Sequence, residues 1–260
     1  MLPVLKAISY IPQTLKGGTT QPILVEVLVG HKIVPYVVKV FTTETLNQYS
    51  AVFYEVFSNK LAQQFDLKVP EAALIEFDKD FMRNLPKDVK AELFKRDGRI
   101  KFGSRFISPT FPYSKALGNK YFKKFELETV YGFDCMVFNG DRKEFKPNML
   151  FNAKNAILID HEHCLWVNQT RIDKIKEGRL VYPFKNHLFY HKLKRQRNKP
   201  TFETFEYYLS ILNTSVLDSY HKQLLTHGHE INNYDLIIEY LCYVKNNPTQ
   251  YTKVLISTIK

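Results

Sequence analysis

The stretch "VFNGDRKEFKPNML", Val137 to Leu150, sets an Asp-Arg pair and a later Asn in a short polar turn between two apolar runs. Such a turn is ordinarily a solvated loop, in which an Asp beside an Arg contributes little. Its neighbourhood argues for more. Helical spacing from Tyr121 to Phe138 predicts a helix that ends at this turn, and "NMLFNAKNAILIDHEHCL" reads as two short strands joined at "NAKN". The second strand ends in another carboxylate, Asp160, after the apolar run "AILI". A carboxylate at the end of a buried strand is costly unless a cation or a donor meets it. Asp141 and Asp160 on adjacent turns therefore suit one metal-bound phosphate. One carboxylate would orient a nucleophile, while Asn148 and the other would hold Mg2+.

Phosphoryl transfer needs further parts, and the preceding residues offer them in order. "KGGTTQP" places Gly17, Gly18, Thr19 and Thr20 just before a strand, where small residues let backbone N–H groups approach phosphate oxygens. Lys39 stands inside the apolar "YVVKVF", and Glu55 lies among core-type residues in "VFYEVFSNKLA". Singly, these are a turn, a snorkelling lysine and a boundary glutamate. Their order is more informative than any one of them.

The rest of the chain reads as strands followed mainly by helices. "PILVEVLVG" and "KIVPYVVKVF" form an expected hairpin about Gly30-His31. Leu46, Tyr49, Val52, Phe53, Val56, Phe57, Leu61 and Phe65 recur at helical spacing and predict one long amphipathic helix. "VPEAALIEF" and "IKFGSRFI" read as strands flanking a polar surface helix within residues 78 to 99. "SPTFPYSKALGNK" is an irregular connector, and it marks the expected boundary between a β-rich part, residues 1–107, and a helical part, residues 108–260. Beyond Phe202, helices are expected between breaks at Asn213-Thr214, Gly228, Asn232-Asn233 and Asn247-Pro248. The fold class is α+β.

The 260 residues are 45% hydrophobic, enough for a sizeable core, and no apolar run approaches the roughly 20 residues of a membrane helix. No signal peptide is read at the N-terminus. Three scattered cysteines, Cys135, Cys164 and Cys242, argue for a reducing compartment, so the expected location is the cytoplasm. A net charge of +11 makes polyanions plausible partners. The basic block "KNHLFYHKLKRQRNK", Lys185 to Lys199, could grip nucleic acid, but a solvated helix and loop is the favoured reading. "DHEHC", Asp160 to Cys164, looks like a metal cluster. Strand alternation would put His161 and His163 on one face and Asp160 and Glu162 on the other, splitting the ligands. "HGHE", His227 to Glu230, reads as an interhelical turn.

The order of Gly-rich turn, strand Lys, helix Glu, "NGDR…PN" and "LIDH" resembles the HipA-like kinases, within the two-lobed protein-kinase-like fold. The similar segments span roughly residues 5 to 165. The resemblance implies an ATP- and Mg2+-dependent kinase that transfers the γ-phosphoryl group to a hydroxyl, a protein serine or threonine being the expected acceptor. It implies that Gly17, Gly18, Thr19 and Thr20 cover the ATP phosphates, and that Lys39, held by Glu55, contacts them. It further implies that "FGSRFI" lies near the hinge that receives adenine, that Asp141 is catalytic, and that Asn148 and Asp160 bind metal. It permits an antitoxin-type partner. The sequence departs from the family at Lys146, five positions after Asp141, where kinases carry the metal-binding Asn; Asn148 comes seven after. The alternatives are a nucleotide-binding pseudokinase and a polyanion- or partner-binding module.

Overall fold

A computed structural model describes residues 1–13, 15, 20–114, 122 and 125–260. It is a mixed α+β chain, strand-rich toward the N-terminus and helical toward the C-terminus. The residues divide into two compact units. The first comprises Met1–Phe57, Pro70–Ser108 and Asp218–Ile231; the second comprises Ser58–Val69, Pro109–Leu217 and Asn232–Lys260.

The first unit is built on a closed barrel of β1 (Val4–Ile11), β2 (Ile23–Val29), β3 (Lys32–Val38), β4 (Ala72–Glu76) and β5 (Lys101–Arg105), in the order β1-β2-β3-β5-β4. The expected β2–β3 hairpin forms. Val29 pairs with Lys32 across a two-residue turn, and Gly30 takes the φ of +60° that such a turn requires. Glu26, which interrupts the apolar run of β2, accepts a hydrogen bond from the Ser9 hydroxyl. Closure depends on β1 lying parallel to β4, with Val4 opposite Leu74. Val25, Val27, Val38, Ala73 and Ile75 fill the barrel, and Phe81, Leu85 and Leu93 complete the cluster from α3 (Lys79–Arg83), α4 (Lys87–Phe94) and the turn joining them. Gly103 in β5 has no room for a side chain, since a Cβ there would stand 2.5 Å from Ile75 Cγ1.

Two expectations about helices need correction. The long helix from Leu46 to Phe65 is two helices, α1 (Thr43–Tyr49) and α2 (Ala51–Gln64). Ser50 interrupts them with φ 47° and ψ 35°, and its hydroxyl donates to the Glu230 carbonyl at 2.9 Å. That partner lies 180 residues away, so local periodicity cannot reveal the break. The polar stretch 78–99 likewise holds two short helices, α3 and α4, rather than one.

The second unit contains a small sheet of β6 (Phe111–Pro112), β7 (Met149–Phe151) and β8 (Ala156–Leu158). The turn between β7 and β8 is closed by the Asn152 side chain, which accepts from the N–H groups of Lys154 and Asn155. The helix before the opening turn is α5 (Leu127–Met136), starting later than expected; Tyr121, Lys123 and Lys124 lie outside the described residues. Further on come α6 (Gln169–Lys176), α7 (Tyr190–Lys194), α8 (Glu203–Ser210), α9 (Val216–Thr226), α10 (Tyr234–Asn246) and α11 (Pro248–Thr258). Breaks fall at Asn213 and Asn247 as expected, and Gly228 and Asn233 lie together in the one connector between α9 and α10. Gly132 of α5 passes close to α8, where a Cβ would come within 2.8 Å of the Phe205 ring. No helix of the described residues is long and apolar enough to cross a membrane.

Candidate active site

In the first unit, Lys39 directly follows β3 and does not lie within it, although its N–H still pairs with the Phe102 carbonyl at 3.1 Å. Alternation turns Val38 into the barrel core and Lys39 to the opposite face. There the ammonium donates to Glu55 Oε1. Glu55 sits on α2 between Tyr54 and Val56, both buried, and is itself 2% exposed. A buried carboxylate of this kind requires a cation, and Lys39 supplies it while keeping 13% of its side chain open. Gly17, Gly18 and Thr19 lie outside the described residues; Thr20 is buried at the edge of a turn.

In the second unit, the decisive residue of the opening stretch is Arg142. Its side chain has no exposed surface. Nε donates to Asp134 Oδ2 at 2.6 Å, Nη1 to the carbonyls of Pro147 and Asn148, and Nη2 faces His161 Nε2 at 3.2 Å. One guanidinium thus joins α5, the far end of the turn and the residue after Asp160. Its rigid fork of donors suits this task in a way a lysine could not match.

Asp134 is the matching anion. It also accepts from Asn139 Nδ2 at 2.8 Å and meets His187 Nε2 at 2.9 Å. Because the Phe189 N–H donates to His187 Nδ1, that nitrogen is the lone-pair side and Nε2 carries the proton toward Asp134. Burial works against the Asp134 carboxylate, but Arg142 and His187 outweigh it and hold the carboxyl well below its usual range. Burial lowers the His187 pKa despite the Asp134 contact, keeping the ring neutral. The turn is further fastened by Tyr182, whose hydroxyl donates to the Asn139 carbonyl.

On this frame stand Asp141, Lys146, Asn148 and Asp160. Asn148 Nδ2 donates to Asp141 Oδ2 at 3.2 Å, and Lys146 Nζ reaches the same oxygen at 2.5 Å. Lys146 Nζ is also 3.7 Å from Asp160 Oδ2. Burial disfavours the Lys146 charge, but the hydrogen bond to Asp141 and the fields of Asp160, Asp141 and Glu162 raise its pKa overall. Asn148 and Asp160 both sit at positive φ, 44° and 64°. Asn and Asp tolerate that region best among residues with a side chain, and its cost signals a constrained position. With its amide nitrogen spent on Asp141, Asn148 has its oxygen to offer a cation, beside the Asp160 carboxylate. An amide oxygen and a carboxylate, completed by phosphate oxygens and water, fit the preference of Mg2+.

Sequence reasoning missed Asp134, Asn139, Arg142, His161 and His187 as a single network. A signal existed in "YGFDCMVF", where Asp134 is the one carboxylate in an otherwise apolar stretch. The alternating faces expected for "DHEHC" do not occur, because β8 ends at Leu158 and Asp160 turns left-handed. His161 is instead buried against Arg142, and His163 pairs with Glu162 at 3.5 Å. The basic block is a short helix and loop whose Lys185, Lys194, Arg195, Arg197 and Lys199 are exposed, as expected, while His187, Phe189, Tyr190 and Leu193 are buried.

A family model described as HipA-like kinase matches residues 8–232. A crystal structure of a Helicobacter pylori proinflammatory kinase, CtkA, is similar to the chain with a TM-score of 0.50 and 12% identity, covering 96% of this chain and 98% of that one. At that identity the likeness concerns fold alone. No curated protein matches the chain.

Proposed function

The chain belongs to the HipA-like kinase family, and we propose that it is a two-lobed, ATP- and Mg2+-dependent phosphotransferase acting on a hydroxyl, with a protein serine or threonine as acceptor. The observation that carries this reading is the grouping of Asp141, Asn148 and Asp160 on a loop fixed from within by Arg142. Phosphoryl transfer relies on positioning and on charge placed in advance, and a loop anchored by a buried ion pair provides both.

Asp141 accepts the proton of the attacking hydroxyl. The new oxygen–phosphorus bond forms as the bond to the β-phosphate oxygen breaks, and ADP departs. Lys39, oriented by Glu55, contacts the phosphates. Asn148 and Asp160 would hold a divalent ion, which would supply positive charge beside the transferring group. The basic surface, +11 overall, favours acidic acceptor proteins.

The test is incubation of the pure protein with γ-labelled ATP and Mg2+, alone and with a cell lysate. Label on protein serine or threonine, absent in Asp141→Asn, is the expected result. Nucleotide binding without transfer to any acceptor would instead make the protein a binding module.

A further inference from the structure

Lys146 stands between the carboxylate proposed as the base, Asp141, and the one proposed as a metal ligand, Asp160. Its Nζ lies 2.5 Å from Asp141 Oδ2 and 3.7 Å from Asp160 Oδ2. The two acidic side chains are each only 17% exposed, and the ammonium is the cation that lies between them. The lysine is rooted rather than draped over the surface. Lys143 and Lys146 close a tight turn by exchanging backbone hydrogen bonds at 2.9 and 3.2 Å, and the carbonyls of the next two residues are held by Arg142.

Resting on the phosphotransferase reading above, we propose that the Lys146 ammonium takes the place of one of the two divalent ions a protein kinase ordinarily uses, so that this chain works with a single ion held by Asn148 and Asp160. An ammonium is a compact cation with three donors and no demand for octahedral coordination, so it can span two carboxylates where a magnesium ion would need six oxygens. It has a second effect. Lys146 and Asn148 together occupy Oδ2 of Asp141, which leaves Oδ1 to receive the hydroxyl proton and fixes the carboxylate's rotation.

The experiment counts Mn2+ bound to the full chain saturated with β,γ-imido-ATP, by electron paramagnetic resonance and native mass spectrometry. Nucleotide binding is recorded separately by calorimetry. The wild type should hold one Mn2+ per protein–nucleotide complex, and Lys146→Asn, which restores an amide oxygen, should hold two. Lys146→Met removes the charge without adding a ligand and should hold one, with Mn2+ affinity raised as the competing cation is lost. Two ions on the wild type would overturn this inference and leave the kinase reading intact, as would one ion on a folded, nucleotide-binding Lys146→Asn. Failure of the wild type to bind the nucleotide would overturn both.

Discussion

In the first unit Lys39 meets Glu55 with 13% of the lysine side chain still exposed; in the second Arg142 meets Asp134 with both side chains at 0%. The open pair can trade its partner for a ligand, because water reaches the cation and its stem can turn. The closed pair cannot. Desolvating two charges costs several kcal/mol each, and that is offset only if every donor and lone pair is used. Asp134 and Arg142 come close, with Asn139, His187, His161 and two carbonyls as further partners. On the proposed function, the first pair would meet the nucleotide; the second holds a loop in place.

The sharpest way to break the contrast is Arg142→Met. It strands the Asp134 charge in an otherwise apolar stretch and frees the carbonyls of Pro147 and Asn148. The expected loss is about 3–5 kcal/mol of stability, read from the urea midpoint. Arg142→Lys should recover only part of it, since an ammonium cannot make the forked contacts. A loss below about 1 kcal/mol for Arg142→Met would show that the network is not what holds the loop.

Asp141→Asn tests function one residue away, on the exposed side of the same loop. Its partners Lys146 and Asn148 are part-exposed, so the fold should change little. Turnover should fall by roughly 10²-fold or more, the contribution typical of a positioned base, with nucleotide affinity largely kept. An unchanged rate would remove Asp141 from the chemistry.

Lys39→Met carries the comparison into the first unit. Glu55 loses its cation but can protonate, so the expected stability loss is about 1–3 kcal/mol, below that of Arg142→Met. Nucleotide affinity, measured by calorimetry, should fall more than in Asp141→Asn. The reverse order would mean that Lys39 serves the fold rather than the ligand.

Local pattern carried much of the fold. The hairpin at Gly30, the turn closed by Asn152 and the helix breaks at Asn213, at Gly228 with Asn233, and at Asn247 are written in residues whose backbone preferences are visible one at a time. What stayed hidden depends on partners distant in sequence. The residues 218–231 belong to the first unit through Gln223 on the Leu2 backbone, His229 on the Ile100 carbonyl and Glu230 on Ser50. Strand β1 closes the barrel only through its parallel partner β4. The candidate site divides in the same way. Asp160 stands out because a carboxylate after an apolar run needs a reason, and Asp141 and Asn148 stand out because a polar turn interrupts two apolar runs. Arg142 was read as half of a surface pair because its role rests on Asp134, eight residues before, and His161, nineteen after.

The smallest expected effect sharpens the closed pair from its histidine side. His187 is neutral in the fold, with its pKa pushed below the ordinary 6.5 by burial. The unfolded chain therefore takes up a proton near pH 6.5 that the folded protein takes up only at lower pH. Because the unfolded state binds more protons in that window, stability falls as pH drops below 6.5. Asp134, whose carboxyl is held low, adds a loss of the same sign only below the ordinary carboxyl value of 3.8. The two windows are separable. Urea midpoints between pH 7.5 and 5 should decline in the wild type, and His187→Asn should reduce that decline while lowering the midpoint at pH 7.5, leaving the share of His229, whose pKa burial also lowers. A wild-type midpoint that rises as pH falls would mean that His187 is charged against Asp134, and the closed pair would then be a closed triad of ions.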